Sequence, residues 1–169
     1  MLIKLIGGCM IVLCGTMTGI YLFRLSQRRV RALNEYIAFL SHCQNMIAYC
    51  GADILHILSS CTEYELLGGM MKECCDKLRS GMELTKAWSI SVSGVEFRGI
   101  IASEDKKLFT AFADDFGTMD ADGEINRICL CREETMRRYE ELYSQTEAKR
   151  RFYRTVGMFC GMLLAVVMI

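Results

Sequence analysis

The sequence contains no proline, although an average usage of about 5% would place roughly eight prolines in a chain of this length. Its 14 glycines cluster at a few points and do not punctuate short strands. Proline breaks helices and marks turns, so its absence favours long uninterrupted helices. We therefore predict an all-α fold, a bundle of about five to six helices.

The motifs of nucleotide, metal and redox chemistry are also missing. The chain has no GxxxxGK[ST], GxGxxG, HExxH or CxxC sequence, and hence no recognisable phosphate loop, zinc site or dithiol. Its two histidines, His42 and His56, lie in apolar helical contexts. We predict no cofactor, no metal and no catalytic centre. The alternative of a different class is a membrane enzyme that acts through the thiols of Cys74 and Cys75.

Charge is balanced in total but segregated along the chain. The sequence has 20 basic and 20 acidic residues, and every acidic residue lies between Glu35 and Glu147. Residues 32–148 hold 11 of the basic residues and all 20 acids, a net charge of −9. Such a domain would repel a phosphate backbone, so we predict no nucleic-acid binding. Two basic groups flank it: Arg24, Arg28, Arg29 and Arg31 on one side, and Lys149, Arg150, Arg151 and Arg154 on the other.

Each basic group borders an uncharged apolar run at one end of the chain. Leu5–Phe23 is 19 residues long, about 28 Å of helix, which is close to the roughly 30 Å of a bilayer core. Thr155–Ile169 is 15 residues long, about 22 Å, so it spans only with local thinning or interfacial help. We predict an uncleaved transmembrane helix at 1–23, a helical domain at 24–154 and a short transmembrane helix at 155–169.

The orientation of the two spans follows from the basic groups. Short basic flanks stay on the cytoplasmic side of a membrane, so the domain is predicted to be cytoplasmic, with both termini across the membrane and lipid as a direct partner. Reduced thiols follow from that compartment, since the ten cysteines show no paired spacing. Each span also has a GxxxG spacing that allows close helix approach: Gly15 to Gly19, and Gly157 to Gly161.

The first span is predicted to continue without a break into a helix that ends near Cys50-Gly51. Its buried stripe has three-four spacing: Val30, Leu33, Ile37, Leu40, Gln44 and Ile47. A long last helix follows a turn at 118–123 and runs into the second span. Its predicted stripe is Ile125, Cys129, Met136, Tyr139, Tyr143 and Thr146. The two helices would leave the membrane side by side, as an antiparallel hairpin that carries the shorter helices.

Two of the shorter helices are predicted in the first half of the domain. Asp53 caps the first of them, which buries Ile54, Leu55 and Leu58. The next covers 63–79 and ends at Ser80-Gly81, because glycine adopts the left-handed conformation that a helix end requires.

Two more are predicted in the second half. A short helix at 82–88 is followed by a loop at 89–94. Ser103 then caps a helix whose first turn holds Glu104 and Asp105, favourable at the positive end of the helix dipole. Gly117 stops that helix, and its buried stripe is Leu108, Phe109, Phe112 and Phe116.

Four short motifs occur in a defined order along the chain. They are Ile47-Ala48-Tyr49, Gly81-x-x-Leu84-x-x-Ala87-Trp88, Phe116-Gly117-Thr118-x-Asp120, and Phe152-Tyr153-Arg154-Thr155-x-Gly157 before Gly161. With the basic group after the first span, they make the whole chain resemble the stage III sporulation protein AB family of endospore-forming bacteria. Two departures occur: Cys50-Gly51-Ala52-Asp53 lacks the proline that family members often have, and Glu124 replaces a usual glutamine.

The resemblance implies a domain similar to the type II secretion system F domain, the inner-membrane platform beside a secretion ATPase. It implies a non-enzymatic platform of the channel complex between mother cell and forespore, in the mother-cell membrane. The implied partners are the sporulation AA-type ATPase and other channel-complex membrane proteins, and a homo-oligomer is left open. The alternative is a structural anchor of another secretion or pilus-like complex. Trp88 is interpreted as a core anchor, with an interface residue as the alternative.

Overall fold

A computed structural model describes the backbone of residues 2–51, 53–114 and 116–168, and the side chains of residues 24–51, 53–114 and 116–148. Within these ranges the chain forms six α-helices and no strand, so the all-α prediction is confirmed there. The helices are α1 (Leu2–Cys50), α2 (Ile54–Ser60), α3 (Gly68–Arg79), α4 (Leu84–Phe97), α5 (Lys106–Thr110) and α6 (Ala121–Met168).

The chain divides into two compact units. One is Arg28–Glu140, called the central unit below, and the other comprises Met1–Gln27 and Glu141–Ile169. The side chains of both predicted spans lie outside the described residues, including the four GxxxG glycines and the basic group from Lys149 to Arg154. In the part of the chain with described side chains, no helix combines the length and hydropathy required to cross a bilayer.

Within the central unit, α1 and α6 run antiparallel, as predicted. Gln44 of α1 donates to the carbonyl of Ile125, near the start of α6, at 3.3 Å. Further back along α1, Arg29 binds the same carboxylate, Asp105, as Arg138 of α6. An early residue of α1 in this unit thus lies near a late residue of α6, and a late residue of α1 lies near an early residue of α6. The two helices therefore form the predicted hairpin in this unit.

The core of the central unit is an aromatic cluster built from four parts of the chain. Tyr36 stacks on Phe109 with ring centroids 4.2 Å apart, and Phe39 and Trp88 meet Phe112 at 5.0 and 4.8 Å. All five side chains are fully buried. The indole of Trp88 also donates to the carbonyl of Phe109 at 2.7 Å. Trp88 is therefore a core anchor, as interpreted from the sequence.

The predicted helix ends are confirmed at Gly51 and Gly81, whereas α5 ends at Thr110, before its predicted stop at Gly117. Gly51, Gly81 and Gly117 have φ of 54°, 87° and 83°, a region that side chains with a Cβ rarely occupy. The buried stripe of α1 is only partly as predicted. Its members Leu33, Ile37 and Leu40 are buried and the other three are half-buried, while Ala32, Tyr36, Phe39 and Cys43 are also buried.

The short helix α2 differs from its prediction in its contacts. Asp53 stands at its N-cap in an extended conformation, but its side chain makes no capping hydrogen bond. Ile57 and Leu58 are buried, whereas Ile54 and Leu55 are only half-buried. The predicted burial is therefore confirmed for Leu58 and wrong for Ile54 and Leu55.

Helix α3 begins at Gly68, about one turn later than predicted. Its first turn is capped from another helix, because the carboxylate of Glu35 accepts the N–H groups of Leu66 and Leu67 at 2.9–3.2 Å. A Cβ on Gly68 would lie 2.3 Å from the carbonyl oxygen of Thr62. Only glycine permits this close approach, so tertiary contacts set where the helix starts.

Helix α4 passes straight through the segment 89–94, so the predicted loop there is wrong. Serine often ends helices, but here the hydroxyls bond back along the helix. Ser91 donates to the carbonyl of Ala87 at 2.8 Å and Ser93 to that of Ser89 at 2.9 Å. The helix ends at Phe97, and Gly99 (φ 68°) forms the turn that follows.

Helix α5 is shorter than predicted, and Ser103 is not its cap. It begins at Lys106 with Asp105 at the N-cap position, and it lasts five residues. Phe109 and Phe112 are buried as predicted, and Phe116 is half-buried. Asp105 does not cap the helix with its side chain, because its carboxylate binds two arginines of other helices.

The buried face of α6 is one residue away from the predicted stripe. Ile128, Thr135 and Leu142 are buried, whereas Met136 and Tyr143 are 39% and 49% exposed, so that part of the prediction is wrong. Thr135 suits the buried face because it is small and its hydroxyl donates to the carbonyl of Cys131 at 2.7 Å. Of the other predicted members, Thr146 is buried and Ile125, Cys129 and Tyr139 are half-buried.

Candidate functional site

A network of four charged residues joins α1, α6 and the segment before α5. Asp105, whose side chain is 1% exposed, accepts from Nε of Arg29 with one oxygen and from Nε of Arg138, at 2.9 Å, with the other. Glu104 binds the same two guanidinium groups at 3.0 and 2.9 Å. Arg29 is therefore not a free member of the basic group that follows the first apolar run.

The electrostatics of this network favour its charged form. Burial alone would raise the pKa of Asp105, but its hydrogen bonds to Arg29 and Arg138 outweigh burial and hold the pKa below its usual range. The hydrogen bond to Asp105 raises the pKa of Arg29 above its ordinary value, although burial acts in the opposite direction. Asp105 and Arg29 therefore both stay ionised at neutral pH. Their attraction links α1 to the segment before α5, and Arg138 adds α6 to the same network.

A second network closes the turn between α5 and α6. The guanidinium of Arg127 donates to the carbonyls of Ala111, Phe112 and Asp114 at 2.9–3.1 Å and binds the carboxylate of Glu124. Glu124 is itself buried and accepts the N–H of Gly117 at 3.4 Å. The glutamate that departs from the family motif thus has a charged partner, which a glutamine could not pair with in the same way.

The two networks and the antiparallel pairing define two ends of the central unit. Arg29 and Tyr49 are both in α1, separated by about 30 Å of helix at 1.5 Å per residue. Asp105 and Arg138 lie at the level of Arg29. The first residues of α6 lie at the level of Tyr49, because Gln44 contacts Ile125.

The Tyr49 end carries exposed apolar and acidic side chains together. Tyr49 is 86% exposed and Met119 is 54% exposed. Three aspartates at the same end, Asp53, Asp120 and Asp122, are exposed and form no ion pair within the described residues. We call these five residues the acidic end. Aromatic, methionine and unpaired acidic side chains on one surface are typical of a protein-binding site for a basic partner.

The family-like motif positions divide into structural and exposed ones. Ala87 and Trp88 are buried, and Gly81 and Gly117 make the turns described above. Of the remaining three, Leu84 is half-buried. Asp120 accepts the N–H of Gly123 at 3.1 Å, at the start of α6. Tyr49 has no packing role because it faces solvent. A motif aromatic that is not used for packing is a candidate contact residue.

The cysteines are free thiols wherever the structure describes them, as predicted. Burial raises the pKa of the Cys74 thiol to about 12 and also raises the pKa of Cys75, Cys43, Cys61 and Cys131. A neutral buried thiol is a poor nucleophile, which disfavours the enzyme hypothesis based on Cys74 and Cys75. That the protein is not an enzyme stays a prediction.

Thiol labelling tests this assignment. Cys50 is exposed at the end of α1, so at pH 7.5 we expect it to react with N-ethylmaleimide at least roughly a hundredfold faster than Cys74, since each pKa unit changes the thiolate fraction about tenfold. Peptide mass spectrometry after a time course gives the two rates in the intact protein. Equal rates without denaturant, with equal rates in urea as the control, would contradict the buried placement of Cys74.

An open cleft lies beside α2 and α3, with a volume of about 410 Å³. Its lining residues are Ser59, Thr62, Lys72, Cys75, Asp76 and Arg79. The one thiol among them is Cys75, whose pKa is raised, so the cleft holds no activated nucleophile. No three metal-ligating side chains converge within the described residues, and His42 bonds to Ser60 at 2.8 Å.

Sequence reasoning missed both the Asp105 network and the acidic end. Asp105 was predicted only as a helix-dipole partner, because its arginines are distant in sequence and no local pattern pairs them. Tyr49 had a signal, its place in a motif, but the motif does not distinguish buried from exposed aromatics. Among the predicted basic residues, Arg24, Arg28 and Arg31 are exposed.

Comparison with known proteins gives one family match. The family model described as stage III sporulation protein AB matches residues 4–169, nearly the whole chain. No curated protein and no solved structure matches.

Proposed function

Since the chain belongs to the stage III sporulation protein AB family, we propose that it is a membrane-anchored platform of the channel complex between mother cell and forespore. In this proposal the two apolar ends of the chain hold it in the mother-cell membrane. Its helical unit faces the cytoplasm and docks the sporulation AA-type ATPase. The family membership makes it a sporulation protein, and the platform role extends the resemblance to the type II secretion F domain.

The acidic end is the observation that carries the docking role. Tyr49 exposes 86% of its surface, and an aromatic ring left in water without packing is the kind of residue that dominates binding energy when covered. The aspartates around it are not neutralised within the chain, so a basic surface on the partner would find both charge and apolar contact there. Some other exposed acids are already paired, for example Glu83 with Lys86.

The internal rigidity of the unit also supports a platform. The Asp105 and Arg127 networks fix the connections before and after α5, and the aromatic cluster fills the space between α1, α4 and α5. A surface built on such a core is preorganised, which lowers the entropy cost of partner binding.

Replacing Tyr49 by alanine tests the docking surface. We expect the affinity for the sporulation AA-type ATPase to fall by about thirtyfold, because an interface aromatic of this kind contributes about 2 kcal/mol. The measurement is co-purification of the full-length protein with the ATPase, followed by titration in detergent. Asp53→Lys with Asp122→Lys should weaken capture further and make it less dependent on salt.

The matched control is Phe97→Ala, which removes an equally exposed aromatic at the opposite end of the unit. It should bind the ATPase like the wild type. If Phe97→Ala and Tyr49→Ala bind equally, the acidic end is not the docking surface. If the wild type does not bind the ATPase at all, the platform proposal itself fails and a structural anchor of another complex becomes the better explanation.

A further inference from the structure

One exposed aromatic is left unexplained by the acidic end. Phe97, the last residue of α4, is 93% exposed, more than any other large apolar side chain described. Gly99 turns the chain immediately after it, and no side chain covers the ring. Full exposure of a phenylalanine is costly in water, so a surface that covers it would gain apolar burial.

The position of Phe97 in the unit is fixed by ion pairs. Its neighbour Glu96 binds Lys106 at 2.8 Å, and Lys106 follows Asp105, which holds Arg29 and Arg138. Phe97 therefore lies at the Arg29 end of the central unit. Along α1, about 30 Å of helix separates this end from Tyr49. This is the end at which α1 enters the unit.

In the sequence, the first apolar run ends shortly before Arg29. Phe23, the last residue of that run, precedes Arg29 by only six residues. Six residues span at most about 20 Å even when fully extended. If the run lies in a bilayer, Arg29 and the groups bound to it cannot be farther than that from the membrane interface.

Exposed cations that could meet an anionic lipid surface lie at the same end of the unit as Phe97. Arg28 and Arg31, at the level of Arg29 on α1, and Lys107, next to Lys106, are exposed and form no ion pair within the described residues. Among the exposed acids at this level, Glu104 is already bound by two arginines, and Glu140, two residues after Arg138, forms no ion pair within the described residues. We name Phe97, Lys107, Arg28 and Arg31 the basic end. It contrasts with the net acidic charge of the domain as a whole.

We propose that the basic end rests on the bilayer, with Phe97 inserted among the lipid headgroups and Lys107, Arg28 and Arg31 against anionic phosphates. This inference rests on the membrane anchoring in the proposed function and adds a second, peripheral contact to it. Phenylalanine beside cations is the composition of interfacial membrane contacts. The contact would orient the unit so that the acidic end points away from the membrane, toward a cytoplasmic partner.

Tryptophan quenching by brominated lipids tests this contact. The full-length protein is reconstituted into vesicles of phosphatidylcholine with phosphatidylglycerol, with bromine on the acyl chains. Phe97→Trp adds a reporter to the single native Trp88, which is fully buried and gives the background. We expect the added emission to be quenched in these vesicles. The matched control, Tyr49→Trp, places the reporter on an equally exposed site at the other end and should not be quenched.

A second variant tests how much the basic charges contribute to the lipid contact. Adding Lys107→Glu to Phe97→Trp removes two charge units, and the docked-to-undocked ratio should fall about fivefold for each, equivalent to about 1 kcal/mol per charge near an anionic surface. Pure phosphatidylcholine vesicles should lower quenching in the same direction. Unchanged quenching in both cases would overturn the anionic contact.

The outcomes separate the two proposals. If the protein floats with the vesicles but Phe97→Trp is quenched no more than Tyr49→Trp, the basic end does not touch lipid and this inference fails alone. If the protein does not float with vesicles, membrane anchoring fails, and the proposed function fails with it. Quenching of Phe97→Trp that exceeds Tyr49→Trp in floating vesicles supports both.

Discussion

Replacing Phe109 by alanine is expected to lower the free energy of unfolding by about 4 kcal/mol, within the range for a buried aromatic whose site cannot collapse. Phe109 is fully buried and stacks on Tyr36 at 4.2 Å, and its carbonyl accepts the indole N–H of Trp88. Its backbone bonds would remain, but the ring would leave a cavity between α1 and α5. Urea unfolding of the full-length protein, followed by Trp88 fluorescence, gives the value.

The chain provides a control of the same residue type. Phe97→Ala removes an identical ring that is 93% exposed, so its unfolding free energy should stay within about 0.5 kcal/mol of the wild type. A loss from Phe109→Ala no greater than that from Phe97→Ala would mean that the aromatic cluster does not stabilise the unit. The same pair of variants thus separates core packing from surface exposure.

The second large effect is expected from Asp105→Asn. The asparagine keeps the shape of the side chain but removes the charge that Arg29 and Arg138 share, which leaves two partly buried guanidinium groups without their main partner. We expect a loss of about 3 kcal/mol, near the lower bound for breaking a buried pair because both arginines retain some solvent contact. Urea unfolding with Trp88 as the reporter again measures it.

Glu104→Gln is the matched control for Asp105→Asn. Glu104 binds the same two arginines, but its side chain is 72% exposed, so the loss should stay below about 1 kcal/mol. Equal losses from the two variants would show that burial of Asp105 is not what makes the network stabilising.

The pH dependence of stability gives a second readout for Asp105. Its pKa is held below the unfolded value of about 3.9, so the folded state binds this proton less readily than the unfolded state. The stabilisation is complete above that unfolded value and is lost as the pH falls through the lower folded pKa. The wild type should therefore lose more stability than Asp105→Asn on going from pH 5 to pH 2. Parallel curves would contradict the lowered pKa.

Local periodicity was enough to predict the long helices and most of their ends. Helix stops at Gly51 and Gly81 depend on backbone conformation that glycine alone adopts easily, so the sequence itself contains that information. The start of α3 does not, because the N–H groups of Leu66 and Leu67 just before it are bound by Glu35 of α1. Contacts between residues far apart in the chain produce no periodic pattern in the sequence.

The errors in α4 and α6 have separate physical causes. The segment 89–94 is predicted as a loop, but the hydroxyls of Ser91 and Ser93 each donate to a carbonyl one turn earlier, which no single-sequence pattern reveals. In α6 the three-four spacing predicts that Met136 is buried, whereas the structure buries its smaller neighbour, Thr135, and leaves Met136 at the surface. Where two helices pack closely, the shape of a side chain as well as its hydrophobicity decides whether it is buried.

The candidate surfaces were the least predictable part. Charge segregation indicated that the interior was acidic and the flanks basic, and the acidic end is consistent with it. The identity of the contact residues required burial, because Phe97 and Phe109 are the same amino acid twelve positions apart with opposite environments. The predicted buried stripe includes Phe109, but no sequence pattern marks Phe97 as an exposed contact residue.

Pairing the first helix of the chain with the last has a consequence during synthesis. Ribosomes add about 5–20 residues per second, so the segment that forms α6 emerges several seconds after α1 is complete. Throughout that interval, side chains such as Leu33 and Leu40 have no α6 to cover them. Any chaperone or neighbouring nascent chain that occupies this face early would compete with α6, so the order in which the chain leaves the ribosome becomes part of how the hairpin forms.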